Sequence, residues 1–336
     1  MNRYYKRKIS ALPQNAVSLD GPGGAVGEIL GRKPRLAILV DQEGWAFHDQ
    51  ALQKSNIISD EWETEIFFLN DKPVIDPRAF DILYNFNHTP SHYDGLFHRR
   101  LIKGLYSHYH HTANIPWQYV YRMVRHASAL VVANRQQAEE TSPFFSNTFE
   151  LPDSVDTNVF FMQQQRTGKD IVAGWSGNPD RKLAGKRVKR FYEVVMPAAK
   201  ASGIEIITGR NLGRAELCRM YNSTDLVLIA SRSEGNPICF FEAGACGRTV
   251  IATAVGVIPQ IVEEGIDGFL IDPDLTDRET IRLMTGRLLW CKAHPEETRM
   301  MGMRLRDKIL NERNSRVAGE AFRTLINKVM YRGLMG

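Results

Sequence analysis

The sequence predicts an α/β protein built from two doubly wound domains, each a parallel sheet flanked by helices. Three observations carry that expectation. Short apolar runs that read as buried strands alternate with helical spacings along most of the chain. One such run, Asp225–Ala230 (DLVLIA), leads through the loop SRSEGNP into ICFFEAGACG, whose small residues suit a tightly packed helix. Finally, 336 residues at 43% hydrophobic and 24% charged suffice for two domains of ordinary size, each with its own core.

The elements follow in order. Residues 1–33 carry little periodicity, include GPGGAVG and crowd Arg3, Lys6, Arg7 and Lys8 at the start, so they read as a basic, loosely docked leader. The first domain, 34–160, opens on a buried strand, Arg35–Asp41, followed by QEGW. In doubly wound folds the loop after the first strand faces the ligand crevice. Gly44 would let backbone approach a phosphate there, and Trp45 could stack or pack. A helix over 46–57 comes next, then strands at Glu65–Leu69 and Asp81–Phe86, the second followed by Asn87 and His88. An apolar run, Leu101–Tyr106, precedes the histidine-rich SHYHH. A helix over 118–126, a strand at Ser128–Ala133 and a short polar helix lead to FELPDSVDTNVF. The polar, Gln-rich 161–169 suits a linker.

The second domain, 170–312, begins with a strand at Asp170–Trp175 and the loop SGNPDRKLAGKRVKRF, which runs into a helix over 194–200. A strand at Ile204–Thr208 and the segment ELCRMY return the chain to the Asp225 strand. Beyond Asp272 the chain reads as helices, and the last, Gly319–Met330 within 313–336, is expected to cross back to the first domain.

Composition excludes several classes. Nowhere are there about 18 uninterrupted apolar residues, and no apolar stretch of signal-peptide length follows the basic start, so a soluble, cytoplasmic protein is expected. The four cysteines, Cys218, Cys239, Cys246 and Cys291, show no CxxC spacing and indicate neither a zinc site nor a disulfide framework. The histidines at 108, 110 and 111 are a weak metal signal, because adjacent residues of an extended run point to opposite faces. The net charge of +5 is modest, but a second cationic cluster at Arg181, Lys182, Lys186, Arg187, Lys189 and Arg190 joins that of the leader. Such clusters suit a phosphate, an anionic membrane or nucleic acid, or are simply solvated faces.

A glutamate, a glycine and an asparagine placed just after a buried strand point into the crevice of a parallel sheet. Glu234 and Glu242, with SRSEG before them, Pro237 between and EAGACG around the second, resemble the donor-sugar signature of retaining nucleotide-sugar glycosyltransferases of glycosyltransferase family 4. The resemblance continues through Val250–Ala254, Gly256, Pro259, Ile261, Val262, Gly265, Gly268, Phe269 and Leu270; it is strong over 204–273 and fainter back to 150. Three positions depart from the family pattern: Gln260 stands where a Glu is common, and Asp153 and Ser154 replace an Asn and a Gly. The QEGW loop matches in part, having Gly44 followed by Trp45 where the family often has a Gly pair.

The resemblance implies a GT-B fold, two Rossmann-like domains facing each other across a cleft that holds a nucleotide-diphosphate sugar. It also implies roles. Glu242 would hold the ribose hydroxyls, while Glu234 and the backbone around Asn236, Pro237 and Ile238 would hold the sugar. Lys189 and Arg181 would neutralise the departing diphosphate, with Lys186 and Arg190 as alternatives, and no metal or other cofactor is expected. A histidine beside the donor sugar is matched best by His108, with His88 second. Retention of configuration is implied, the diphosphate taking the acceptor proton. The expected acceptor is a glycan or lipid-linked glycan, with the leader touching anionic lipid. Two alternatives stay open: a glycosyltransferase acting on a modified base of DNA, for which basic clusters with Trp45 and Trp117 would embrace a nucleic acid, and a catalytically silent scaffold or binding subunit.

Overall fold

The computed structural model describes residues 27, 30–106, 115–183 and 185–335, and within them the chain forms two parallel sheets. The first contains β1 (Arg35–Val40), β2 (Glu63–Phe68), β3 (Ile82–Asn85), β4 (Leu101–Leu105), β5 (Ala129–Val132) and β6 (Thr148–Glu150). Their order is β2-β1-β3-β4-β5-β6, every pair parallel. Helices α1 (Ala46–Ile57), α2 (Trp117–Val124) and α3 (Arg135–Thr141) connect them. The strand sequences follow from burial. β3, β4 and β5 are wholly buried, Lys103 in the middle of β4 being paired with Asp94 at 2.6 Å, whereas the edge strand β2 keeps Glu63 and Glu65 at the surface, where charge discourages further pairing.

The second sheet contains β7 (Val172–Ser176), and a small antiparallel hairpin of β8 (Lys182–Leu183) and β9 (Lys186–Arg187) follows. A π-helical turn at Phe191–Val195 leads into α4 (Met196–Ser202), then β10 (Glu205–Gly209), α5 (Arg214–Asn222), β11 (Leu226–Ile229), α6 (Ile238–Ala245), β12 (Thr249–Thr253), α7 (Ile258–Ile261) and β13 (Phe269–Ile271). The order is β10-β7-β11-β12-β13, again all parallel. Three long helices close the chain: α8 (Asp277–Ala293), α9 (Pro295–Glu312) and α10 (Ser315–Met335). The first of them starts on a capping box in which Thr276 and Glu279 satisfy each other's backbone N–H.

The last helix, α10, belongs to the first lobe. Phe322, Leu325, Ile326, Val329 and Met330 recur at helical spacing and pack with Leu36, Ile38, Val40 and Tyr84 of the first core. Arg323 adds bonds to the Glu61 carboxylate at 2.6 Å and the Ile57 carbonyl at 2.7 Å. Two elements lay beyond the reach of the sequence pattern, because β6 and the β8–β9 hairpin are too short for a period to show.

In each sheet the strand order reverses direction at one place, between β1 and β3 in the first and between β7 and β11 in the second. Crevices open beyond the carboxyl ends of strands at such points. In the second lobe that position is bounded by Ser176 and Gly177 on one side and by the loop from Ser231 to Pro237 on the other.

Candidate active site

The loop after β11 brings Glu234 against Lys189, Oε1 to Nζ at 2.5 Å, with 12% and 15% of the two side chains exposed. Burial by itself would lower the Lys189 ammonium; the Glu234 carboxylate more than offsets that and holds it above its ordinary value. Lys189 is held from its neighbour. Arg190 lies in the left-handed region at φ 48° and is completely buried, its Nε donating to the Ala230 carbonyl at 2.5 Å and Nη1 to Asp277 at 3.2 Å. That strained backbone opens the π-helical turn, a distortion often found beside functional residues. Arg190 is thereby removed as a phosphate ligand. Arg181 is exposed at the head of the hairpin and forms no ion pair among the described residues, while Lys186 points away into solvent on β9.

Glu242 sits on α6 in a different setting. Its Oε2 accepts from the Tyr221 hydroxyl at 2.9 Å, and that hydroxyl lies 2.8 Å from Ser176 Oγ at the end of β7. Burial pushes the Glu242 carboxyl up to about 7; the Tyr221 bond and the charge of Arg214 work against the rise, and Asp49 on α1 adds to it. Between the two carboxylates lies Cys239, whose thiol burial lifts to about 11. Such a thiol is uncharged at neutral pH and acts as packing.

The loop that carries Glu234 is also where the lobes meet. Gly235 lies flat against the end of β4: a Cβ there would stand 2.0 Å from the Tyr106 carbonyl oxygen. Its own carbonyl accepts from Val257 N at 3.0 Å and from the Asn134 side chain of the first lobe at 3.3 Å. Gly256, at φ +59°, packs on the same spot, its hypothetical Cβ 2.1 Å from the Gly235 oxygen. The three positions that depart from the family pattern cluster here too. Asp153 is buried and accepts from Lys54 at 3.1 Å, Gln50 at 3.3 Å and, across the seam, Asn236 at 2.8 Å. Ser154 donates to Gln53 at 3.2 Å. Gln260 accepts from Arg135 N at 2.8 Å and donates to Glu150 at 3.0 Å.

The remaining expected residues are dispersed. Asn236 uses its side-chain N–H₂ on Asp153 rather than on the crevice, and Pro237 has no N–H, so the amides at this end of α6 are those of Ile238 and Cys239. Gly44 has φ +74° and donates its N–H to His48 Nδ1 at 3.0 Å; Trp45 is 57% exposed at the start of α1. His108, with the adjacent histidines, lies outside the described residues. His88 follows β3 at the crevice side of the first sheet. Tyr221, Ser176 and Arg214 had no sequence signal as site residues. Only the strand order, which sets α5 beside the end of β7, brings them to Glu242.

Two parallel-sheet lobes, each with one switch point, define the fold class. The chain aligns with sucrose-phosphate synthase from Thermosynechococcus elongatus at a TM-score of 0.66, covering 90% of this chain and 99% of that one at 13% identity. It aligns equally with Anabaena Alr3699/HepE, solved in complex with UDP-glucose, at 0.65 over 88% and 99%, also at 13% identity. The fold is GT-B, two Rossmann-like domains. More particularly, residues 181–285 match the family model of glycosyl transferases group 1. D-inositol 3-phosphate glycosyltransferase of Mycobacterium sp. (strain KMS) is 44% identical over 59 residues, which are 18% of this chain; the match spans only 13% of that relative's length.

Proposed function

We propose that the protein is a glycosyltransferase that moves a hexose from a nucleotide-diphosphate sugar to an acceptor hydroxyl, with retention and without a metal. The observation that carries the reading is the Lys189–Glu234 pair at the switch point beside the exposed Arg181. The diphosphate would lie against Lys189 and Arg181, whose charges stabilise it as it departs. Glu234 keeps the Lys189 ammonium in place and holds sugar hydroxyls, and Glu242 takes the ribose diol. The acceptor oxygen bonds to the anomeric carbon while the bond from that carbon to the diphosphate oxygen breaks. The acceptor proton passes to the departing diphosphate on the same face. Two cations suffice for this charge, and chelator-insensitive turnover is the expected result.

A glycan or lipid-linked glycan is the proposed acceptor. The nucleic-acid alternative gains no support from the second cationic cluster. Within it Lys189 pairs with Glu234, Arg187 with Glu193 at 3.0 Å, and Arg190 is buried, which leaves Arg181, Lys182 and Lys186 at the surface. The silent-scaffold alternative draws on the departures at Asp153, Ser154 and Gln260, but Asp153 and Gln260 bond across the lobe seam to Asn236 and Glu150, and Ser154 bonds to Gln53 within the first lobe. The test is a panel of nucleotide sugars followed by release of free nucleotide, with and without chelator. Release from one donor supports the reading and names the base; no release from any, together with no binding of any nucleotide, overturns it.

A further inference from the structure

Two groups that the proposed reaction does not use hold Glu242 from behind. Tyr221, at the last turn of α5, is completely buried, and a phenol costs free energy to bury unless its hydroxyl is bonded. Its hydroxyl meets two partners, Glu242 Oε2 at 2.9 Å and Ser176 Oγ at 2.8 Å. A hydroxyl has one proton, so donating it to the carboxylate leaves its lone pairs for Ser176, and Ser176 donates to Tyr221. The chain of bonds therefore runs from Ser176 through Tyr221 to Glu242 with every proton pointing toward the carboxylate. Hydrogen bonds in such a chain strengthen one another and aim their last acceptor.

We propose, resting on the assignment of Glu242 to the ribose, that Tyr221 anchored by Ser176 is the positioning residue of the ribose clasp. It fixes the Glu242 rotamer from the protein side through Oε2, leaving Oε1 and the outer lone pair of Oε2 turned to the vicinal diol. A carboxylate held this way meets the diol without first losing rotamer freedom, which is the benefit of a pre-organised contact. The link couples two elements at the switch point, since Ser176 ends β7 and Tyr221 lies in the last turn of α5. The charged and titratable groups that face Glu242 are Tyr221 and Arg214 of α5, Asp49 of α1, and Cys239 and Cys246 on either side of it along the chain.

The experiment measures binding of UDP, ADP and GDP, and of the 2′-deoxy form of whichever binds, to the wild type, Tyr221→Phe and Ser176→Ala across pH 5.5–8.5. The wild type is expected to prefer the ribonucleotide. Tyr221→Phe should shrink that preference by roughly tenfold, the worth of one hydrogen bond to a charged group, and leave deoxynucleotide affinity unchanged. Because the phenol favours the charged carboxylate, its removal should also move the midpoint of the pH dependence upward. Ser176→Ala, which keeps the phenol, should act in the same direction and by less, and serves if the Phe variant folds poorly. Equal ribose preference and midpoint in both variants would overturn the positioning role while leaving the ribose assignment intact. A wild type that binds nucleotide with no ribose preference would instead remove the assignment of Glu242.

Discussion

Glu234 lies in the loop after β11 and Glu242 in the helix that follows, and the protein gives them different electrostatic settings. Glu234 is met by an ammonium at 2.5 Å, and the ammonium is in turn held above its ordinary value. Glu242 is met by a neutral phenol at 2.9 Å, and its carboxyl rises to about 7. The difference sorts the crevice into a charged end, suited to a diphosphate and its sugar, and a neutral end, suited to hydroxyls. Burial alone cannot separate them, since both are largely buried; the partner does.

The largest way to break that division is to move the loop that carries Glu234 and leads into the helix of Glu242. Gly235→Ala places a Cβ 2.0 Å from the Tyr106 carbonyl, a backbone atom that cannot swing aside. The loop or the lobes must shift by about an ångström, and misplacement of that size costs on the order of 100-fold in turnover. Steady-state kinetics with the natural donor checks it, and circular dichroism confirms that the fold survives. Turnover within threefold of wild type would mean that the seam does not position the site.

The charged end is broken by Lys189→Ala, which leaves the Glu234 carboxylate buried without its ammonium. Donor turnover should fall at least tenfold, about 1.4 kcal/mol of transition-state stabilisation. Glu242→Ala should do the same from the neutral end, by raising KM more than it lowers kcat. If both variants keep wild-type kinetics, the assignment of the crevice is wrong.

The neutral end is sharpened by pH. A carboxyl raised to about 7 is half protonated near neutrality, and a protonated carboxyl loses one of its acceptor sites for the diol. Nucleotide affinity should therefore weaken as pH falls through 7, and Glu242→Gln should flatten the profile. The linked effect on stability has the opposite sense. Between the ordinary carboxylate range and about 7 the folded chain holds a proton that the unfolded chain has released, so stability decreases as pH rises through that window. Urea midpoints of the wild type and Glu242→Gln at pH 5 and pH 8 should differ in slope, the wild type losing more at the higher pH.

Much of this arrangement is legible in the sequence, and the parts that are not share a cause. A wholly buried strand such as Leu226–Ile229 announces itself as an unbroken apolar run, and Glu234 follows that signal because strand ends open on crevices. Lys189 could be named but not singled out from Lys186 and Arg190, because charge in sequence says nothing of direction; a left-handed backbone at Arg190 buries one cation and turns its neighbour to the site. Tyr221 and Ser176 were invisible, since helix end and strand end become neighbours only when β7 is placed between β10 and β11. Asp153 and Gln260 are visible as departures, yet what they bond to lies in the other lobe.

The smallest expected effect tests that last point, away from both carboxylates. The Gln260 amide is used at both ends, accepting from Arg135 N at 2.8 Å and donating to Glu150 at 3.0 Å, and of the two acidic or amide side chains of that length only the amide can do both. Gln260→Glu keeps the acceptor, loses the donor and sets two carboxylates face to face, a cost of about 1 kcal/mol in a partly exposed seam. Donor turnover should drop only two- to fivefold, about what that cost allows, with the deficit relieved in high salt. Adding Glu150→Gln restores a donor opposite the new carboxylate and should recover most of the activity, whereas Glu150→Gln alone should be nearly silent. Failure of the double variant to recover would show that residue 260 acts on the crevice itself rather than through the contact between lobes.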